Sequence, residues 1–127
     1  MTFLHKINRY LDNLIFLLCF RILIQELADY EKMPEGPKIS AEVLEKDGFG
    51  DEKFFHCFVA EHSDKSLIGF ALYNITYSTW EGKQVYMEDL YVQPQYRGQG
   101  VGTKVNITLP VWRYIIERKE TGSSKIA

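Results

Sequence analysis

Cysteine is scarce in this 127-residue chain, which carries Cys19 and Cys57 and no others. Two thiols cannot staple a small secreted scaffold, so a packed core and a reducing, cytoplasmic setting are expected. Charge of one sign is lacking too, since 15 Lys and Arg stand against 17 Asp and Glu for a formal net charge of −2. Nucleic-acid binders normally carry a basic face, and no nucleic-acid partner is expected. His5, His56 and His62 fall at no metal-ligand spacing, so no metal site is expected. Long apolar runs are absent. Leu14 to Phe20 is seven residues long, against about 20 needed to cross a bilayer. Arg21 then interrupts, with no small-residue cleavage pattern after it. The run is therefore read as a buried or partly buried helix, and no membrane association is expected.

What is present is ordinary globular material, 46% hydrophobic and 25% charged, in a length that suits one domain. The apolar stripe continues through Ile24, Leu27 and Ala28, with Gln25, Asp29 and Lys32 opposite, and Pro34, Gly36 and Pro37 are expected to end that helix. Ser40 is a candidate N-cap for a short helix over Ala41 to Lys46, followed by a loop at Asp47 to Asp51. Strand composition then takes over. Phe54 to Glu61, Leu67 to Tyr77 and Gln84 to Val92 read as a three-strand antiparallel meander, with turns at His62 to Lys65 and around Gly82 and a bulge near Gly69. Lys104 to Glu120 is a weak helix candidate because of its β-branched residues and Pro110. There is no internal repeat.

The segment richest in chemistry follows the third of these strands. Gly98, Gly100 and Gly102 alternate with Gln99 and Val101, directly after Arg97. A loop of this kind presents successive backbone N–H groups, and a helix start behind it adds partial positive charge, which together suit a pyrophosphate. Arg97 at the mouth adds a permanent cation. The order Thr103-Lys104 is wrong for a P-loop. The glycine spacing and the absence of a parallel-sheet pattern before it also fit a dinucleotide fingerprint poorly.

Arg97-Gly98-Gln99-Gly100-Val101-Gly102 resembles the Gln/Arg-x-x-Gly-x-Gly/Ala signature of the GNAT acetyltransferases. Tyr86 to Tyr96 resembles their fourth strand. Upstream, Glu26 to Glu31, Asp47 to Gly50, Phe55 to Glu61, Ile68 to Ala71 and Tyr86 to Leu90 are similar to the diamine branch, which includes the spermidine/spermine and thialysine N-acetyltransferases. The resemblance covers roughly residues 22 to 103. It implies an α/β fold of the α+β kind, a partial GNAT domain over 1–127 with N-terminal helices, the antiparallel meander and a pyrophosphate loop-helix.

The roles follow from the resemblance. Backbone groups of Leu90, Tyr91 and Val92 would hold the arm of acetyl-CoA, the co-substrate. Arg97, Gly98, Gln99, Gly100, Val101, Gly102 and Thr103 would hold its pyrophosphate. Glu88 would be the catalytic base, since an ammonium must lose a proton before it can attack a thioester. Tyr30, Glu31 and Trp80, with Glu88, would form the amine site, through charge and cation–π attraction. Nine acids against three lysines between Glu26 and Glu52 are consistent with a cationic substrate, although an acidic stretch of this kind is also an ordinary solvated surface. The implied partners are a small amine and a second copy of the chain or a full-length relative.

Two departures from the family accompany the match. Its members begin with a strand before the first helix, and Leu14 to Phe20 stands in that place here. The resemblance also stops at Thr103, so the fifth strand and the tyrosine that protonates the thiolate are not found. Tyr114, the one tyrosine further on, does not fit that role. Residues 1–21 and 104–127 are therefore expected to be divergent ends of a truncated, spliced or mispredicted product. The fourth strand is expected to have one bare edge. The alternative reading is a non-catalytic product that binds CoA weakly or pairs with a full-length enzyme.

Overall fold

In the helix over Leu14–Tyr30 (α1), Phe16, Leu17, Phe20, Leu23 and Leu27 recur at the spacing of one helical face. That face is buried and rests on a β-sheet. Leu14, Ile15, Leu18 and Ile22 lie on the other side, exposed, which accounts for a run that reads as apolar all round. The computed structural model describes residues 14–101 in full and the backbone of residues 2–6, 113–115 and 125–126.

The chain runs β1 (Thr2–Lys6), α1, α2 (Ala41–Phe49), β2 (His56–His62), β3 (Leu67–Ser78), β4 (Gly82–Val92), β5 (Arg113–Ile115) and β6 (Lys125–Ile126). The described strands form one sheet in the order β1-β2-β3-β4-β5, with β6 also paired to β4. The meander β2-β3-β4 is antiparallel, as its short connecting turns require. Its faces are cleanly divided. Cys57, Val59, Phe70 and Tyr91 pack under α1, and Phe58, Ala71, Tyr73, Val85 and Met87 pack together on the opposite face.

The structure corrects several sequence expectations. A strand does precede the first helix: β1 pairs antiparallel with β2, from Thr2 opposite His62 to Lys6 opposite Phe58. Its short sequence TFLHK has too little alternation to stand out. The apolar segment Leu14 to Phe20 is helical and partly buried as read from the sequence; it is the start of α1 and places Phe16, Leu17 and Phe20 in the main core. The first helix ends earlier than its prolines, because Lys32 takes a left-handed φ of 58° while the Met33 N–H donates to the Ala28 carbonyl at 2.8 Å. Ser40 does cap α2, accepting from the Val43 N–H at 3.2 Å. That helix continues to Phe49, through residues expected to be loop, with the Gly50 N–H closing on the Lys46 carbonyl. Gly48 lies under the Phe55 ring, where a Cβ would come within 2.5 Å of a ring carbon.

The far side of the sheet is also corrected. The helix candidate Lys104 to Glu120 lies mostly outside the described residues, but Arg113–Ile115 is a strand, parallel to β4. It pairs with Gln84, Val85 and Tyr86, and β6 pairs with Asp89 and Leu90, so the outer edge of β4 is partly covered.

Gly69 makes a testable point about the sheet. A Cβ there would sit 2.6 Å from the Tyr91 carbonyl oxygen, a backbone atom with no rotamer to escape into. Gly69→Ala is expected to destabilise the chain by about 1–3 kcal/mol, by pushing β3 away from the end of β4. Thermal melting of the purified variant checks this, and an unchanged midpoint would mean that the two strands are not in such close approach.

Candidate functional site

The site is built around the second half of β4. Leu72 of β3 pairs with Asp89, whereas the next residue, Tyr73, pairs with Met87. Glu88 is therefore the inserted residue of a β-bulge. A bulge adds one residue to one strand and reverses its inside–outside alternation beyond that point. Val85 and Met87 face away from α1, and after the bulge Leu90 joins that same face. Tyr91 consequently turns under α1, against Phe70 with ring centroids 6.3 Å apart. Without the insertion, Tyr91 would share a face with Val85 and Met87. The bulge lies at the one acid singled out as a base, and Glu88 is half-buried there.

Leu90, Tyr91 and Val92 finish the strand. Leu90 is opposite Ile126 of β6 in the register, and the Gln93 N–H donates to the Ile68 carbonyl at 2.8 Å. A short turn, Pro94–Tyr96, leads into the glycine segment. Gly98 and Gly100 both hold φ at +79°, while Gln99 between them keeps the ordinary sign. Alternating backbone of this kind forms concavities of N–H groups that suit anions. A Cβ on either glycine would meet nothing within 4 Å, so the space beside the loop is open. Val101 has helical backbone and is buried with Ala60, Ile68 and Val92, which anchors the loop to the sheet. Gly102 and Thr103 lie outside the described residues. The donor-rich, open loop fits a pyrophosphate.

Arg97 departs from its expected place at the mouth of the loop. Its Nε donates to the Val92 carbonyl at 2.8 Å. Its guanidinium carbon lies 4.9 Å from the Tyr30 ring centroid and 5.7 Å from that of Tyr91. The cation is folded back onto the junction of α1 and β4. Tyr30, expected to receive a substrate cation, thus already carries one over its ring. Glu31 follows Tyr30 on the surface.

The proposed amine-site residues are not all brought together. Tyr30 sits beside Arg97, past the C-terminal end of β4, whereas Trp80 is 92% exposed in the hairpin that precedes the strand. β4 is 11 residues long, so at about 3.3 Å per residue the two lie on the order of 30 Å apart. Glu88 falls between them.

Sequence reasoning assigned no role to Glu26 or Gln93, which the structure joins at the end of β4. Glu26 on α1 accepts from the Tyr91 hydroxyl at 3.1 Å and from the Gln93 amide at 3.3 Å to each carboxylate oxygen. Burial, with Glu26 beside the hydroxyl, pushes the Tyr91 phenol up to about 12, so it remains a donor at neutral pH. The available signal was the spacing of Glu26 and Tyr30, four residues apart on one helix face. Cys57 behaves as a core thiol, since burial and the nearby charge of Asp89 push its pKa well up. His56, at the start of β2, stacks on Tyr73 at 5.4 Å. Among the described residues no cluster of His, Cys, Asp and Glu could hold a metal ion. No helix among them is long and apolar enough to cross a membrane.

Comparison with known proteins identifies the family and the fold. Residues 20–108 match the acetyltransferase (GNAT) family, and the chain belongs to it. It is 54% identical over 90 residues to a thialysine N-epsilon-acetyltransferase of Mus musculus, covering 65% of this chain and 53% of that protein. It is 43% identical over 89 residues to the spermidine/spermine N(1)-acetyltransferase-like protein 1 of Homo sapiens, covering 65% of this chain and 13% of that one. The chain spans about half the length of the thialysine enzymes it matches. A solved aminoglycoside acetyltransferase from a soil metagenomic sample shares the fold with a TM-score of 0.69 at 17% identity, over 94% of this chain and 79% of that one. A predicted acetyltransferase from Clostridium acetobutylicum, solved with acetyl-CoA, does so with a TM-score of 0.60 at 17% identity, over 96% and 84%.

Proposed function

We propose that this chain transfers acetyl from acetyl-CoA to a primary amine of a polyamine or thialysine-like small molecule, by direct attack and without an acyl-enzyme. The observation that carries the reading is the β-bulge at Glu88, one turn of chain before a glycine loop whose open side suits a pyrophosphate. Acetyl-CoA, when bound, supplies an activated acetyl thioester. Gly98, Gln99, Gly100 and Val101, continuing to Gly102 and Thr103, hold its phosphates through backbone N–H groups. Backbone groups of Leu90, Tyr91 and Val92 hold its arm.

The chain's own chemistry is proton transfer and orientation. Glu88 takes a proton from the substrate ammonium, directly or through water, and so frees a lone pair for attack. Backbone N–H groups near Leu90 to Val92 stabilise the negative charge that develops on the acetyl oxygen. As the C–N bond is completed, the C–S bond breaks and CoA leaves as its thiolate, taking its proton from solvent. Glu31 attracts the cationic substrate, the neighbouring Tyr30 ring being already covered by Arg97. Trp80 joins it only from a second copy of the chain, or from a longer relative paired with it, because its own hairpin is at the wrong end of β4. The setting is cytoplasmic, where the free thiols of Cys19 and Cys57 persist.

A second reading, weak CoA binding without catalysis, draws support from β6. It pairs with Asp89 and Leu90, along the backbone where the arm is proposed to lie. CoA release by the purified chain, supplied with acetyl-CoA and thialysine, lysine, putrescine, spermidine or spermine, separates the two. Turnover is expected with at least one of these amines. A folded sample that binds CoA and turns over none of them would overturn the catalytic reading in favour of the second.

A further inference from the structure

A single carboxylate ties the end of β4 to α1. Tyr91 and Gln93, two apart in extended chain, point to the same side of the strand. Both donate to Glu26, which is 65 and 67 residues away in sequence. Val92 lies between them, and its carbonyl accepts from Arg97, whose guanidinium rests over Tyr91 and over Tyr30. Glu26 and Tyr30 are one helical turn apart on α1, so one helix face holds the strand end from both directions. Three side chains thereby fix the peptide groups on either side of Val92. The opposite side of the same short stretch is buried differently, by Ala60, Ile68 and Val101.

We propose that Glu26 is a positioning residue for the acetyl-CoA arm, acting through Tyr91 and Gln93 on the backbone of Leu90 to Val92. This rests on the reading that the arm lies along that backbone. Glu26 itself is on the α1 side of the sheet and reaches the arm only through the strand. A strand end free to twist must order itself when the arm binds, and that cost weakens affinity; a strand already tied down does not incur it. The Tyr91 hydroxyl supports the role chemically, since a phenol that keeps its proton is a permanent donor to the carboxylate. Arg97 completes the clamp, with its guanidinium over the Tyr30 and Tyr91 rings.

The effect belongs to the pantetheine arm and not to the nucleotide end. Affinities of acetyl-CoA and of 3′-phospho-ADP, the nucleotide end without the arm, are to be measured by calorimetry on the full chain and on Glu26→Ala and Tyr91→Phe. The unmodified chain is expected to bind acetyl-CoA more tightly than 3′-phospho-ADP. Each variant is expected to lose about tenfold in acetyl-CoA affinity, the size of one hydrogen bond. Affinity for 3′-phospho-ADP should hold within about twofold, and the double variant should lose no more than Glu26→Ala alone, because Glu26→Ala already removes the one contact that Tyr91→Phe removes. Tyr91→Phe keeps the ring and its packing, so it reports even where Glu26→Ala fails to fold. Equal losses for both ligands, or no loss for either, would overturn the positioning role while leaving CoA binding intact. An unmodified chain that binds both ligands alike would show that the arm is not held at β4. One that binds neither would remove the acetyl-CoA reading as a whole.

Discussion

With Glu88 replaced by Gln, amine acetylation at neutral pH is expected to fall by about a hundredfold or more, the usual scale of a lost general base. Affinity for acetyl-CoA is expected to stay within about twofold, because the proposed arm and phosphate contacts come from backbone groups. The substitution conserves shape, so the bulge should survive it. A primary alkylamine has a pKa near that of lysine, about 10.4, and is almost wholly protonated at pH 7. The variant's deficit should therefore shrink as pH rises towards 9 or 10, where free amine is already present without a base. Steady-state rates between pH 7 and 10, together with CoA calorimetry, check both halves. Equal turnover in the variant would take Glu88 out of the mechanism. A deficit that does not change with pH would give it a structural role at the bulge.

Phe20→Ala is expected to produce the largest loss of stability. Phe20 is fully buried, stacked on Phe16 at 6.0 Å and set edge-on against Phe70 at 5.2 Å. It joins α1 to β3 in the centre of the main core. Truncating a buried Phe costs about 3–5 kcal/mol, and whole domains have only about 5–15 kcal/mol in hand. The melting midpoint should fall by on the order of 10 °C or more. Ile15→Ser, on the same helix but 75% exposed, is the control, and should stay within about 0.5 kcal/mol. The pair of variants also decides whether residues 14–21 belong to the fold. If Phe20→Ala is as mild as Ile15→Ser, the N-terminal part of α1 is not packed on the sheet.

The chemistry-bearing motifs were legible because they are local. Glycine alternation at 98–102, Ser40 before α2 and the meander's aromatic and β-branched composition each declare a backbone preference within a few residues. The missed N-terminal strand has the same cause in reverse. β1 is short and gains its hydrogen bonds from β2, more than 50 residues away. The apolar run at Leu14 to Phe20 was legible as a partly buried helix, but a sequence does not show which side of such a helix will be covered. Arg97 illustrates the point at the level of one side chain. Its position beside the glycines suggested a phosphate ligand, and its actual partners are a carbonyl on β4 and two aromatic rings.

By itself, then, the sequence determined the family, the three central strands, the glycine loop and the acid at position 88. All of these depend on residue identity or on near-neighbour spacing. Only the tertiary structure decided that Glu88 is the extra residue of a bulge, since a bulge is defined by the register of a partner strand. Only it decided that Tyr30 and Trp80 lie at opposite ends of β4, and that Glu26 holds Tyr91 and Gln93. Those relations join residues tens of positions apart, and they exist because burying the apolar face of α1 brings its C-terminal turn against the end of β4.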